Sequence, residues 1–216
     1  MLHREIVGRH SEHWRDYARS VPSLLSFGLF LISIFVVQPY AIEFTNNVAT
    51  TPVGDIILSN TPVFNVGLFF VYGMFALIIV ITLLCLAHPK RIAFTLYALT
   101  LFVLIRSVFV TLTHVGPFIT QAVNTFGPGI TLQFFGADHF FSGHAGAPFL
   151  MALMYWHHKT LRYIFLLWSA FFSVIVLLGH LHYTIDVLAA YFITYGIYHI
   201  ALWLFPSDRA LFLSKN

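Results

Sequence analysis

The sequence predicts an all-α integral membrane protein: a six-span helical bundle with both termini cytoplasmic. Three observations predict it. The chain has 216 residues, 59% apolar and only 9% charged, against about 25% charged in an average soluble domain. Its apolar residues fall into runs of the length that a bilayer requires, roughly 20 residues of helix with about 17 to 25 tolerated. Lysine and arginine gather in alternate connections. A soluble fold is excluded on composition. Period-2 strands separated by turns are missing, which excludes a membrane β-barrel.

The elements follow in order. Residues 1–22 form a cytoplasmic or interfacial segment. His3 to Arg19 mixes Arg, Glu, His, Trp14 and Tyr17, so it reads as an amphipathic interfacial helix or, equally, as a frayed basic tail. The first span, about 24–42, is longer than the apolar core of a signal peptide. No small-x-small cleavage site follows it, so it is expected to stay as a span. The 43–65 connection carries Pro52, Gly54, Asp55, Asn60 and Pro62, which predicts irregular chain with a short surface helix. Spans at 66–87 and 92–113 are the clearest. The fourth, 142–157, is short and starts at a glycine-rich turn. Spans at 162–180 and 183–205 complete one membrane domain over 23–206, and 207–216 is a cytoplasmic tail. Cys85 is the only cysteine, so no intrachain disulfide can form.

Orientation comes from the basic residues. Arg4, Arg9, Arg15, Arg19, Lys90, Arg91, Lys159, Arg162, Arg209 and Lys215 all fall on one side of a six-span chain, and that side should be cytoplasmic. The opposite loops, 43–65, 114–141 and 181–182, contain neither Lys nor Arg. The exception is Arg106, inside the third span. The pI near 9.1 does not point to nucleic acid, because the basic residues are spread thinly between apolar runs.

With this topology Arg106, His144, His182 and Asp186 collect near the outer surface from three spans. His182 and Asp186 are four apart and share a helix face. The carboxylate can hold one imidazole nitrogen and leave the other free to attack; a pair that only satisfies itself at a helix end reads equally well. Ser142 can cap the fourth helix, Gly143 admits close backbone approach, and the free N–H groups there favour a phosphate. His144 is then placed to donate a proton, although an ordinary capped start with an interfacial histidine explains the tripeptide as well. Arg106 costs about 2.5–3.5 kcal/mol at mid-span on insertion scales. Its planar fork suits phosphate, and an ion pair with Asp138 or Asp186 is the alternative.

Phe141-Ser142-Gly143-His144 at one helix start and His182-Tyr183-Thr184-Ile185-Asp186 at a later one resemble the signatures of the type-2 phosphatidic acid phosphatase superfamily. The stretch His182 to Val187, with Ala190-Tyr191 and Ile193-Thr194, resembles the last signature of its sphingomyelin synthase-like branch. Gly136, Asp138 and Phe141 to His144 are similar to that branch's middle signature. Arg106 with Thr113 and Pro117 resembles its arginine segment. The wider superfamily has a Lys seven residues before the Arg and a Pro directly after it; here those positions are Leu99 and Ser107. That departure favours the synthase-like branch over an ordinary lipid phosphate phosphatase.

The resemblance implies a metal-independent reaction without a cofactor. His182 would attack phosphorus, Asp186 orient it, and His144 protonate the departing lipid oxygen and then serve as base. Arg106 with the Ser142 and Gly143 amides would hold the non-bridging oxygens, while Asp138, His180 and Tyr183 support the site from behind. The substrate would be a phospholipid or lipid phosphate and the acceptor a lipid alcohol or water. A compact six-span chain fits a bacterial inner membrane with a periplasmic site, or an organelle membrane with a lumenal one. Two rivals stand. His139, His144, His180, His182, Asp138 and Asp186 could gather around zinc. A transporter or catalytically dead relative would also be polytopic, but transporters place polar groups near the midplane.

Overall fold

The computed structural model describes residues 20–122 and 140–214. The expected N-terminal interfacial helix and the calls on Gly136, Asp138 and His139 lie outside those residues.

Among the described residues seven helices are formed: α1 Val21–Val48, α2 Gly67–Ala87, α3 Ile92–Leu112, α4 Gly143–Met154, α5 Lys159–Leu178, α6 Thr184–Leu204 and α7 Pro206–Leu213. No strand occurs among the described residues. Among the described residues five helices are long and apolar enough to cross a membrane: α1, α2, α3, α5 and α6. They make a multi-pass membrane protein. Their outward surfaces are apolar, with Phe35, Leu68, Phe69, Leu167, Phe192 and Trp203 all exposed. Patches of that kind are rare on soluble monomers.

Proline explains the shape of α1. Pro39 lacks an N–H and its ring would crowd the carbonyl four residues earlier. The helix responds with a π turn over Ser33–Val37 just ahead of it, where the Gln38 N–H bonds to the Ser33 carbonyl. The helix therefore continues past the expected 42 to Val48. The 49–66 connection is irregular with a 3-10 turn at Leu58–Asn60, as its prolines predict.

The expected fourth span is the one that falls short. Helix α4 has 12 residues, about 18 Å of rise against a hydrocarbon core of about 30 Å. Instead of facing lipid, it is enclosed by its neighbours, with nearly its whole length from His144 to Met154 buried. Small residues permit this. A Cβ on Gly146 would lie 2.8 Å from both Phe102 and the Thr194 hydroxyl, so only glycine lets α4 sit this close to α3 and α6. At its far end, Arg209 of α7 donates to the Met154 carbonyl at 3.0 Å. Residues 206–213 of the expected tail segment thus form a helix packed against the bundle.

Candidate active site

Helix α4 begins at Ser142, whose hydroxyl accepts from the Ala145 N–H at 3.4 Å. This cap fixes where His144 sits on the first turn. His144 is pinned between two rings: it stacks on Phe70 at 3.7 Å and meets Phe172 edge-on at 5.1 Å. Arg106, half-buried on α3, donates from Nε to the Phe141 carbonyl at 2.8 Å. Its guanidinium lies over Gly143, where an added Cβ would be 3.2 Å from Nε. A side chain there would crowd the arginine, which would have to give by a few tenths of an ångström.

Helix α6 begins at the second motif. Asp186 sits in its first turn, and Oδ2 accepts the Tyr183 N–H at 2.8 Å. The same oxygen lies 3.5 Å from His182 Nδ1. The carboxylate therefore faces Nδ1. The Ser142 N–H bonds to the Asp186 carbonyl at 3.2 Å, so the two motif turns are joined directly by backbone. Ser142 and Asp186 are 0% exposed, His144 6% and His182 7%.

The turn between α5 and α6 is set by His180. Its φ is 51°, the left-handed region usually left to glycine. The Leu181 N–H bonds to the Val176 carbonyl and the His180 N–H to the Leu177 carbonyl, the two bonds of a Schellman ending. The His180 ring turns away from the other site residues, with Nδ1 against Thr120 Oγ1 at 3.0 Å. The Tyr183 hydroxyl also points away, donating to the Gly116 carbonyl at 2.9 Å and accepting from the Val53 N–H at 3.1 Å. Both residues tie neighbouring connections to the motif turn. Asp138 lies outside the described residues.

Asp55 completes this strap. Its carboxylate accepts from the Thr184 N–H at 2.7 Å and the Thr184 hydroxyl at 2.9 Å, and from the Ile57 and Leu58 N–H groups. It thus caps the start of α6 from the 49–66 connection. Burial alone would raise its pKa; the bonds from Thr184, Leu58 and Ile57 outweigh that and hold the carboxyl below its usual range.

Arg106, Gly143, His144 and His182 line one end of a cavity of about 470 Å³. From there the cavity runs between α1, α2 and α3, past Phe70, Leu77 and Ile81, to Cys85 and Leu86. Phe70 to Leu86 is about 24 Å along α2 at 1.5 Å per residue. Taking a methylene as about the size of a liquid water, roughly 30 Å³, the cavity holds on the order of 16 such groups. This is a polar head joined to an apolar shaft, the outline of one long-chain amphiphile. Gln38 and Phe70, which the sequence reading passed over, also line it. An amide within an apolar span was the only signal for Gln38; Phe70 gave none.

Among the described residues, no group of three or more His, Cys, Asp or Glu side chains is placed to hold a metal ion.

Long apolar helices around a buried pair of histidines, a carboxylate and an arginine define a multi-pass membrane protein with a polar pocket at one end of an apolar cavity. Residues 136–203 match the family model described as PAP2 superfamily C-terminal. The matched stretch holds Ser142, His144, His182 and Asp186, whereas Arg106 precedes it. Over that stretch, under half of the chain, the protein is similar to the PAP2 superfamily. No curated protein and no solved structure matches the chain.

Proposed function

We propose that this protein is a lipid phosphotransferase of the sphingomyelin synthase-like type, moving a phospho-head-group from a phospholipid to a lipid alcohol. The observation that carries the proposal is the single cavity: its polar end holds both histidines and Arg106, and its shaft is sized for an alkyl chain.

In the first step His182 Nε2 attacks phosphorus and forms a P–N bond. The P–O bond to the donor's lipid oxygen breaks, and that oxygen leaves as an alcohol carrying the proton from His144. Asp186, facing Nδ1, stabilises the imidazolium character that develops on His182. Arg106 and the Gly143 N–H hold the non-bridging oxygens as charge builds, whereas the Ser142 N–H, expected to join them, is committed to the Asp186 carbonyl. In the second step His144 takes the proton of the acceptor hydroxyl. That oxygen attacks phosphorus, and the P–N bond breaks to restore His182.

A phosphatase would use the same residues with water as acceptor. The enclosure of His144, His182 and Asp186 supports transfer, because excluding water favours a lipid hydroxyl. The basic-residue pattern supports a cytoplasmic location for both termini and an active site on the opposite face, periplasmic in a bacterial inner membrane.

The test is incubation of purified protein with phospholipid labelled in its head group, with ceramide or diacylglycerol as acceptor. A new labelled lipid is expected; free phosphate or free phospho-head-group would mean hydrolysis. His182→Ala should lower either product by about a thousandfold or more. Full turnover in that variant would remove His182 as nucleophile.

A further inference from the structure

Gln38 lies in a span whose other cavity-lining residues are Phe27, Phe30, Leu31 and Ile34. Helix α1 does not need an amide there, and the Gln38 side chain makes no hydrogen bond among the described residues. It does line the same cavity as Arg106, His144 and His182.

Its depth can be worked out. Thr45 of α1 donates its hydroxyl to the Val110 carbonyl of α3 at 2.9 Å. Further along, Thr50 bonds to the His114 carbonyl and Gly116 to the Thr51 carbonyl. Residue numbers rise together on both strands of this ladder, so α1 and α3 run parallel with Thr45 level with Val110. Counting back along each helix puts Gln38 level with Val103, which also lines the cavity. Gln38 is therefore three residues below Arg106, about 4.5 Å at helical rise.

We propose that Gln38 is a specificity-determining residue that reads the link between phosphate and alkyl chain in the bound lipid. The inference rests on the lipid reading of the cavity given above. With phosphate at Arg106, the next polar group of a lipid backbone lies two or three bonds beyond the ester oxygen. At roughly 1.5 Å per bond, that is about 4 Å further in, at the level of Gln38. An ester carbonyl, an amide or a free hydroxyl there meets a carboxamide that offers both donor and acceptor. A lipid without such a group leaves the amide desolvated and unpaired, and discrimination against it is then strong. Below Gln38 the shaft is lined mainly by apolar side chains from all three helices; the Thr82 hydroxyl there is already bonded to the Ile78 carbonyl at 2.8 Å, so the shaft imposes no comparable polar test.

The experiment measures binding without turnover. His182→Ala protein in detergent is titrated with three probes: hexadecyl phosphate, which has no polar link; a dihexadecanoyl glycerol phosphate, with ester carbonyls; and ceramide phosphate, with an amide and a hydroxyl. Adding Gln38→Leu should weaken one or both link-bearing lipids about tenfold relative to hexadecyl phosphate, the loss of one hydrogen bond. Gln38→Met, which keeps the length and loses the amide, should shift the ratio likewise; it serves where the leucine variant does not fold. The lipid that loses more identifies the link. An unchanged ratio among the three probes overturns the proposal. Failure of the parent to bind any of them overturns it together with the lipid reading.

Discussion

The two ends of the cavity are built by different means. At the polar end the walls are held by hydrogen bonds between distant segments: Ser142 to Asp186, Tyr183 to Gly116 and Val53, Thr184 to Asp55, and His180 to Thr120. Along the shaft, Phe30, Met74, Leu77 and Ile81 are apolar side chains held by packing. The difference separates two tasks. Phosphoryl transfer needs atoms held in fixed geometry, and buried hydrogen-bonded networks supply that rigidity. An alkyl chain needs only apolar volume, and dispersion contacts have no strict directional demand. On this view, substitutions at the polar end change rate and those in the shaft change which lipid is taken.

Four substitutions sharpen or break this division, in decreasing order of effect. His144→Ala and Asp186→Asn should each lower turnover about 10²- to 10⁴-fold, as general acids and orienting carboxylates do elsewhere. Circular dichroism should show the helices intact. If either variant turned over normally, the polar end would not be the seat of chemistry.

In the shaft, Ile81→Trp should plug the cavity about 16 Å along α2 from Phe70. Its kcat/KM should fall about tenfold for a hexadecyl substrate relative to a decyl one. Equal losses for both chains would mean that the shaft does not measure length.

The smallest effect falls on the strap. The Asp55 carboxyl is held below its usual range in the folded protein. A depressed folded-state pKa adds stability above the unfolded value of about 3.9, and this is lost as pH falls through the folded value. The melting temperature of the parent should therefore exceed that of Asp55→Ala by a few degrees at neutral pH, with the gap narrowing below about pH 4. A gap that widened on acidification would mean the carboxylate does not stabilise the start of α6 as an anion.

Much of the fold was legible in the sequence. The expected spans at 66–87 and 92–113 coincide closely with α2 and α3, because apolar length alone decides them. The first helix ran longer than its apolar run, since Thr45 is carried by a bond to Val110. Helix α4, expected as a short span, is apolar in sequence, but its side chains are buried against protein. The motif residues were found because ionisable groups next to apolar runs are costly and stand out. The bonds of His180 to Thr120, Tyr183 to Gly116 and Val53, and Asp55 to Thr184 could not be found that way, because each joins residues more than fifty apart.

The sequence by itself determined that the chain enters a membrane, where its longer helices lie, and which polar residues demand a reason. These depend on local composition and spacing. Only the tertiary structure decided that α4 is enclosed, that Arg106 lies over Gly143, that Asp55 caps α6, and that Gln38 stands one turn below the arginine. Each of these is a distance between segments far apart in the chain. Packing sets such distances, and no local run of residues contains them.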